Sequence, residues 1–170
     1  MISYKLLLFA LIIASTCGVM LFAAIDDAGY PAIPLPGYDT VSITFRTSEN
    51  GDVSLTAYHA NTLVKKFMGL GNQTSLPRDK GMVFTFDSVD SRTVGMRWME
   101  FPIDIIFVSD DGVVNTVVTL SEPQSLVESS VLYETVECEA KYIIEVNAGW
   151  TKENNITHGT EVHIDDSVSV

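Results

Sequence analysis

Hydrophobic and polar residues alternate through Val41, Ile43 and Phe45, and again through Val53, Leu55 and Ala57. A period of two sends successive side chains to opposite faces of an extended chain, so both segments are expected as strands. Between them Ser48-Glu49-Asn50-Gly51-Asp52 supplies Asn-Gly turn chemistry, and the two strands are expected to form a hairpin. From Asn61 to Leu70 the period changes. Leu63, Val64, Phe67 and Leu70 fall on one face of a helix, with Gly69 and Gly71 closing it. A loop containing Pro77 leads to a short strand, Met82 to Phe86. Thr93 to Met99 and Pro102 to Val108 read as two further strands, bent at Pro102. Asp110-Asp111-Gly112 is a turn signal into the strand Val113 to Leu120, and Tyr142 to Val146 is another strand. A short helix over Ala148 to Asn155 and a last strand, Glu161 to Ile164, complete the reading. Many short strands with few helices predict an α+β, mainly β fold: a small curled or barrel-like antiparallel sheet with one or two short helices.

One segment obeys neither period. Leu6 to Ile25 is an apolar run without a single charge. As a helix it would span about 30 Å, the hydrocarbon thickness of a bilayer. Lys5 precedes it and Asp26 and Asp27 follow, which predicts a cytoplasmic N-terminus and an extracytoplasmic remainder. An uncleaved single-pass anchor is the first reading, because the run is long for a signal peptide and ends without an Ala-x-Ala pattern. A cleaved signal peptide, with Ala23 and Ala24 as its small residues, is the second; it would leave the domain secreted. Ala14-Ser15-Thr16 is a poor match for a lipidation signal at Cys17. The chain thus divides into a membrane segment over 1–25, a Pro/Gly tether over 26–37 and one β-rich domain over 38–170. The tether carries three prolines and two glycines between residues 28 and 37, a composition of stiff, extended linkers.

Composition narrows the partners. The formal net charge is -12 and the sequence pI about 4.4, so the surface repels phosphate backbones and nucleic acid is not an expected partner. Acidity of this kind serves solubility or a salty medium. Of the two cysteines, Cys17 lies in the apolar run and Cys138 in the soluble part, so they cannot pair within one chain. That excludes a disulfide framework and a paired-Cys zinc site.

Taken in order, several short stretches are similar to a known family. They are Lys66-Phe67-Met68-Gly69-Leu70, Leu76-Pro77, Gly81-Met82-Val83-Phe84-Thr85-Phe86 and Met96-Arg97-Trp98-Met99-Glu100-Phe101-Pro102-Ile103-Asp104-Ile105-Ile106-Phe107. The series continues through Asp111-Gly112, Ala140-Lys141-Tyr142-Ile143-Ile144-Glu145, Gly149 and Gly159. Over residues 55 to 165 the chain resembles domain of unknown function family 192. It departs from the pattern at Met68, where a basic residue is usual, at Gly95, where an aromatic is usual, and at Trp98-Met99, which replace Asn-Thr. The resemblance implies a compact, mainly β, single domain, often exported or membrane-tethered, and implies no activity.

Asp104 is the residue that calls for an explanation. In FPIDIIFV, Phe101, Ile103, Ile105 and Phe107 share one face, while Pro102, Asp104, Ile106 and Val108 share the other. A carboxylate in so apolar a strand needs a partner if it is buried, and Arg97 is the nearest upstream cation. Two readings stand: a structural ion pair or turn-amide cap, and a polar clamp in an apolar pocket lined by Met96, Trp98, Met99 and Phe101. The Met and Trp residues alone read first as core. His158 and His163, near Asp165 and Asp166, read as solvated surface residues rather than a metal site, for lack of a third positioned ligand. His59 has no Ser or Cys arrangement beside it, and Cys138 between Glu137 and Glu139 is expected to be unreactive. Asn72-Gln73-Thr74 and Asn155-Ile156-Thr157 are glycosylation acceptor sequons. No cofactor is implied.

The function expected from these residues is a non-catalytic binding or accessory module, held to a membrane through residues 6–25, with a small molecule or protein as partner. A hydrolase or transferase using Asp104, helped by Glu100 or Arg97, is an alternative, though acid–base catalysis ordinarily needs two groups in divergent environments. A structural protein–protein role is the third.

Overall fold

The computed structural model describes residues 37–48, 51–125, 128 and 135–165; the expected membrane segment and most of the tether lie outside them. Seven strands form one curled sheet. In chain order they are β1 (Thr40–Thr47), β2 (Gly51–Ala60), β3 (Lys80–Gly95), β4 (Ile103–Val108), β5 (Val114–Leu120), β6 (Thr135–Asn147) and β7 (Glu161–Asp165). Helix α1 (Leu63–Met68) connects β2 to β3, and α2 (Trp150–Glu153) connects β6 to β7. The spatial order is β5-β4-β6-β3-β2-β1-β7.

The expected hairpin is present, with β1 and β2 antiparallel from Thr40↔Tyr58 to Thr47↔Gly51. An entirely antiparallel sheet is not. β2 and β3 run parallel, Ala57 opposite Gly81, because the connection through α1 carries the chain back to the starting end before β3 begins. The separate strands expected at Met82–Phe86 and Thr93–Met99 are also one element in part. β3 runs unbroken from Lys80 to Gly95, across the polar stretch Asp87-Ser88-Val89-Asp90, where its register against β6 shifts. Beyond the shift β3 pairs again with the thirteen-residue β6, from Asp90↔Ala140 to Gly95↔Thr135. Beyond Gly95 the chain leaves the sheet. Met99 N–H donates to Met96 O over 3.2 Å, and Trp98 takes a left-handed conformation with φ 61°.

The curl is fastened at one end. Val113 bridges Glu161, Val114 N–H donates to Thr160 O, and Val162 N–H donates to Gly112 O over 2.7 Å. These bonds join the start of β5 to β7, the two outer strands, and leave that stretch of edge covered.

Both faces of the sheet bury apolar side chains. All six residues of β4 are buried. Ile103, Ile105 and Phe107 join Met82, Phe84 and Ile143 in one cluster; Ile106 and Val108 join Ile43, Phe45, Val83, Ile144 and Trp150 in the other. The period of two in FPIDIIFV therefore sorts residues between two cores rather than between core and solvent. α1 departs further from expectation. Of the four residues on its expected core face only Leu70, past the helix end, is buried, while Leu63 is 87% and Val64 73% exposed. Thr62 caps its start by accepting from Lys65 N–H.

Candidate functional site

Asp104 proves to be a structural acceptor. Its Oδ1 accepts from the Thr119 hydroxyl at 2.7 Å, directly across on β5. Its Oδ2 accepts from Thr151 N–H at 3.0 Å and from the Thr151 hydroxyl at 2.6 Å. The carboxylate of β4 thereby ties down the first turn of α2, next to Trp150, whose ring packs on Phe45 with centroids 5.4 Å apart. The expected Asp104–Arg97 partnership does not form. Asp104 shares its face with Ile106 and Val108, whereas Arg97 lies with the opposite cluster and stacks over the rings of Phe67 (4.3 Å) and Trp98 (4.4 Å).

On that opposite face lies a cavity of about 340 Å³, enclosed by α1, β3, the turn after β3 and β6. Of the six residues singled out from sequence, Arg97 and Met99 line it. Met96 is buried in the core beneath, Phe101 packs against the same core, and Trp98 meets Phe67 edge-on with centroids 5.9 Å apart. Asp104 is not part of it.

The cavity contains instead a carboxyl group to which the sequence reading gave no role. Glu145 on β6 is 5% exposed, and its Oε2 has no hydrogen-bond partner. Its cross-strand neighbours are Met82 on β3 and Ile105 on β4, both fully buried. With apolar neighbours on both sides, burial penalises the anion and pushes the Glu145 pKa up to about 8. At neutral pH the group is a carboxylic acid, able to donate as well as accept. A signal was available: Glu145 interrupts Tyr142-Ile143-Ile144-Glu145-Val146 much as Asp104 interrupts its own strand, and the burial argument applies to both.

Cations gather at the mouth. Lys66 lies over the Phe86 ring at 4.3 Å and Arg92 over the same ring at 4.1 Å. With Arg97 stacked on Phe67 and Trp98, three cations are held by aromatic faces, and among the described residues none has a carboxylate within 4 Å. The remaining candidates lie elsewhere. His59 shares a hydrogen bond with Thr85, His158 contacts Asn115 O, and His163 is exposed. Among the described residues no group of three or more His, Cys, Asp or Glu could hold a metal ion. Cys138 is half-buried, with Sγ 3.7 Å from the Thr116 hydroxyl. Asn72 and Asn155 of the two sequons are exposed.

A mixed, curled sheet with a core on each face and a cavity on one of them defines a small mainly β domain with two short helices. The chain belongs to the DUF192 family, described as Uncharacterized ACR, whose model matches residues 45–164. Two solved structures share the fold. One, from Sinorhizobium meliloti 1021, is a protein proposed to regulate transcription; it is 22% identical, with a TM-score of 0.66 over 75% of this chain and 95% of its own. The other, of unknown function, is from Novosphingobium aromaticivorans; it is 26% identical, with a TM-score of 0.63 over 81% of this chain and 94% of its own. No curated protein matches the chain. Among the described residues no helix is long and apolar enough to cross a membrane, and the run from 6 to 25 lies outside them.

Proposed function

We propose that the chain is a non-catalytic ligand-binding module, tethered outside a membrane through residues 6–25, and that its ligand occupies the cavity above Glu145. The observation that carries this reading is the buried Oε2 without a partner. A buried polar atom left unpaired costs about 1–3 kcal/mol, so a ligand that satisfies it has a built-in gain. The apolar walls with few polar groups are what small-molecule sites ordinarily present. Within the cavity Glu145 is the one carboxyl group, and no histidine, cysteine or serine lines it among the described residues. That composition suits binding better than acid–base turnover. Asp104, the residue on which an enzymatic reading depended, is engaged by Thr119 and Thr151.

The test is a thermal-shift screen of the full chain in lipid nanodiscs against metabolites, sugars and metal ions. A ligand at a hundredfold excess over its Kd adds about 2.7 kcal/mol of stability. A specific shift that is lost in Glu145→Leu, which keeps the bulk and removes the polar group, is expected. Shifts indifferent to that substitution would remove the cavity from the reading. The solvent-facing Leu63, Val64 and Phe67 of α1 favour a protein partner as the second reading, which a screen without hits would bring forward. For the tether, the chain is expected to stay in the membrane pellet through alkaline carbonate extraction. Release of a shortened chain would point to a cleaved signal peptide.

A further inference from the structure

The class of ligand follows from the charge pattern of the cavity, provided that the proposed binding there holds. A ligand with a cationic head would enter past Lys66 and Arg97 and find only a neutral acid at the end. Like charge would oppose its approach, and no anion would reward it. A ligand with an anionic head finds the reverse. Lys66 and Arg97 are stacked on rings, and among the described residues neither has a carboxylate within 4 Å, although the chain as a whole carries -12. The apolar wall formed by Phe67, Phe84, Phe86 and Met99 suits a hydrocarbon or aromatic body behind that head.

We propose that the cavity takes a monoanion with an apolar body, a carboxylate above all, whose charge is drawn by Lys66 and Arg97 and whose oxygen accepts a hydrogen bond from the Glu145 carboxyl group. Binding is then coupled to the proton that Glu145 carries. The charged groups around the cavity are all cations apart from Glu145: α1 contributes Lys66, the turn after β3 contributes Arg97, and β3 holds Arg92 over the Phe86 ring, while β4 sets Ile105 beside Glu145. Once Glu145 ionises, it repels the ligand and has no hydrogen to donate.

Phenylacetate, phenylacetamide and phenethylamine serve as probes, titrated calorimetrically into the full chain in nanodiscs at pH 6 and pH 9.5, with empty nanodiscs subtracted. Phenylacetate is expected to bind best at pH 6. With Glu145 titrating at about 8, its apparent Kd should weaken about thirtyfold by pH 9.5, the factor by which the protonated fraction falls. Glu145→Gln, which keeps an N–H donor, is expected to retain phenylacetate with a flat pH profile. Lys66→Ala with Arg97→Ala should weaken it at least tenfold at both pH values. Preference for phenethylamine, or binding of phenylacetate that ignores pH, would overturn the anion assignment and leave the binding module standing. Failure of all three probes at both pH values, in a chain shown to be folded, would overturn both.

Discussion

Asp104 on β4 and Thr151 on α2, 47 residues apart, are joined twice: one carboxylate oxygen accepts both the backbone N–H and the side-chain hydroxyl of Thr151. α2 is only four residues long and has no side-chain cap of its own at Gly149. A helix of that length cannot hold itself together in water, so its first turn depends on this distant acceptor. Asp104→Ala would strip three hydrogen bonds and leave buried donors of Thr151 unpaired. The expected cost is about 2–4 kcal/mol, by analogy with lost charged hydrogen bonds and helix caps. Asp104→Asn, which keeps one acceptor oxygen, should cost less. Urea denaturation measures both, and an alanine variant as stable as the parent would contradict the capping role.

Glu145 sets a pH dependence of the opposite sign to that of most carboxylates. Its folded-state pKa is raised to about 8, so the native state holds a proton that the unfolded chain has released. The stability it contributes is fully present below the unfolded value near 4.5 and is lost as pH rises through 8. The difference in unfolding free energy between the parent and Glu145→Gln should therefore fall between pH 5 and 8, by at most about 1.4 kcal/mol per pH unit, in favour of the variant. Denaturation at four pH values tests it. A flat difference would mean that Glu145 ionises normally in the folded protein.

Gly81 sits where β2 and β3 run parallel, opposite Ala57. A β-carbon there would lie 2.8 Å from Leu55 Cδ2 and 2.9 Å from the Glu145 carbonyl oxygen. The leucine can give way, but the backbone oxygen of a central strand cannot do so cheaply. Gly81→Ala is expected to destabilise by about 1–3 kcal/mol, the usual cost of overpacking. A stability within about 0.5 kcal/mol of the parent would show that the strands can part there.

Leu63 gives the contrary case. Its helical spacing marks it as core, yet it is 87% exposed. Leu63→Ser should change stability by no more than about 0.5 kcal/mol, as surface substitutions do. A loss of 2 kcal/mol or more in thermal denaturation would mean that something buries this face in the folded protein.

Much of the architecture is legible residue by residue. The alternation in Val41-Ile43-Phe45 and Val53-Leu55-Ala57, with Asn-Gly between, determines a hairpin because turn chemistry and side-chain period are local properties. FPIDIIFV likewise determines a strand and divides its residues correctly between two faces. The ordered motifs carry the family, and the apolar run 6–25 carries the expectation of an anchor. Tertiary structure decided what local pattern cannot encode. Whether β3 ends at Phe86 or runs on to Gly95 depends on the length of β6 beside it, since a backbone ladder pairs across polar residues as readily as apolar ones. The direction of β2 against β3 depends on the path of the connection, and the exposure of Leu63 on what packs over α1. Two acidic residues in two apolar strands looked alike in sequence. One meets Thr119 and Thr151 and completes a cap; the other meets Met82 and Ile105 and is left with an unpaired oxygen. A carboxyl group's role is set by the atoms that surround it, and those arrive from other elements, 15 and 47 residues away for Asp104 and 40 and 63 for Glu145.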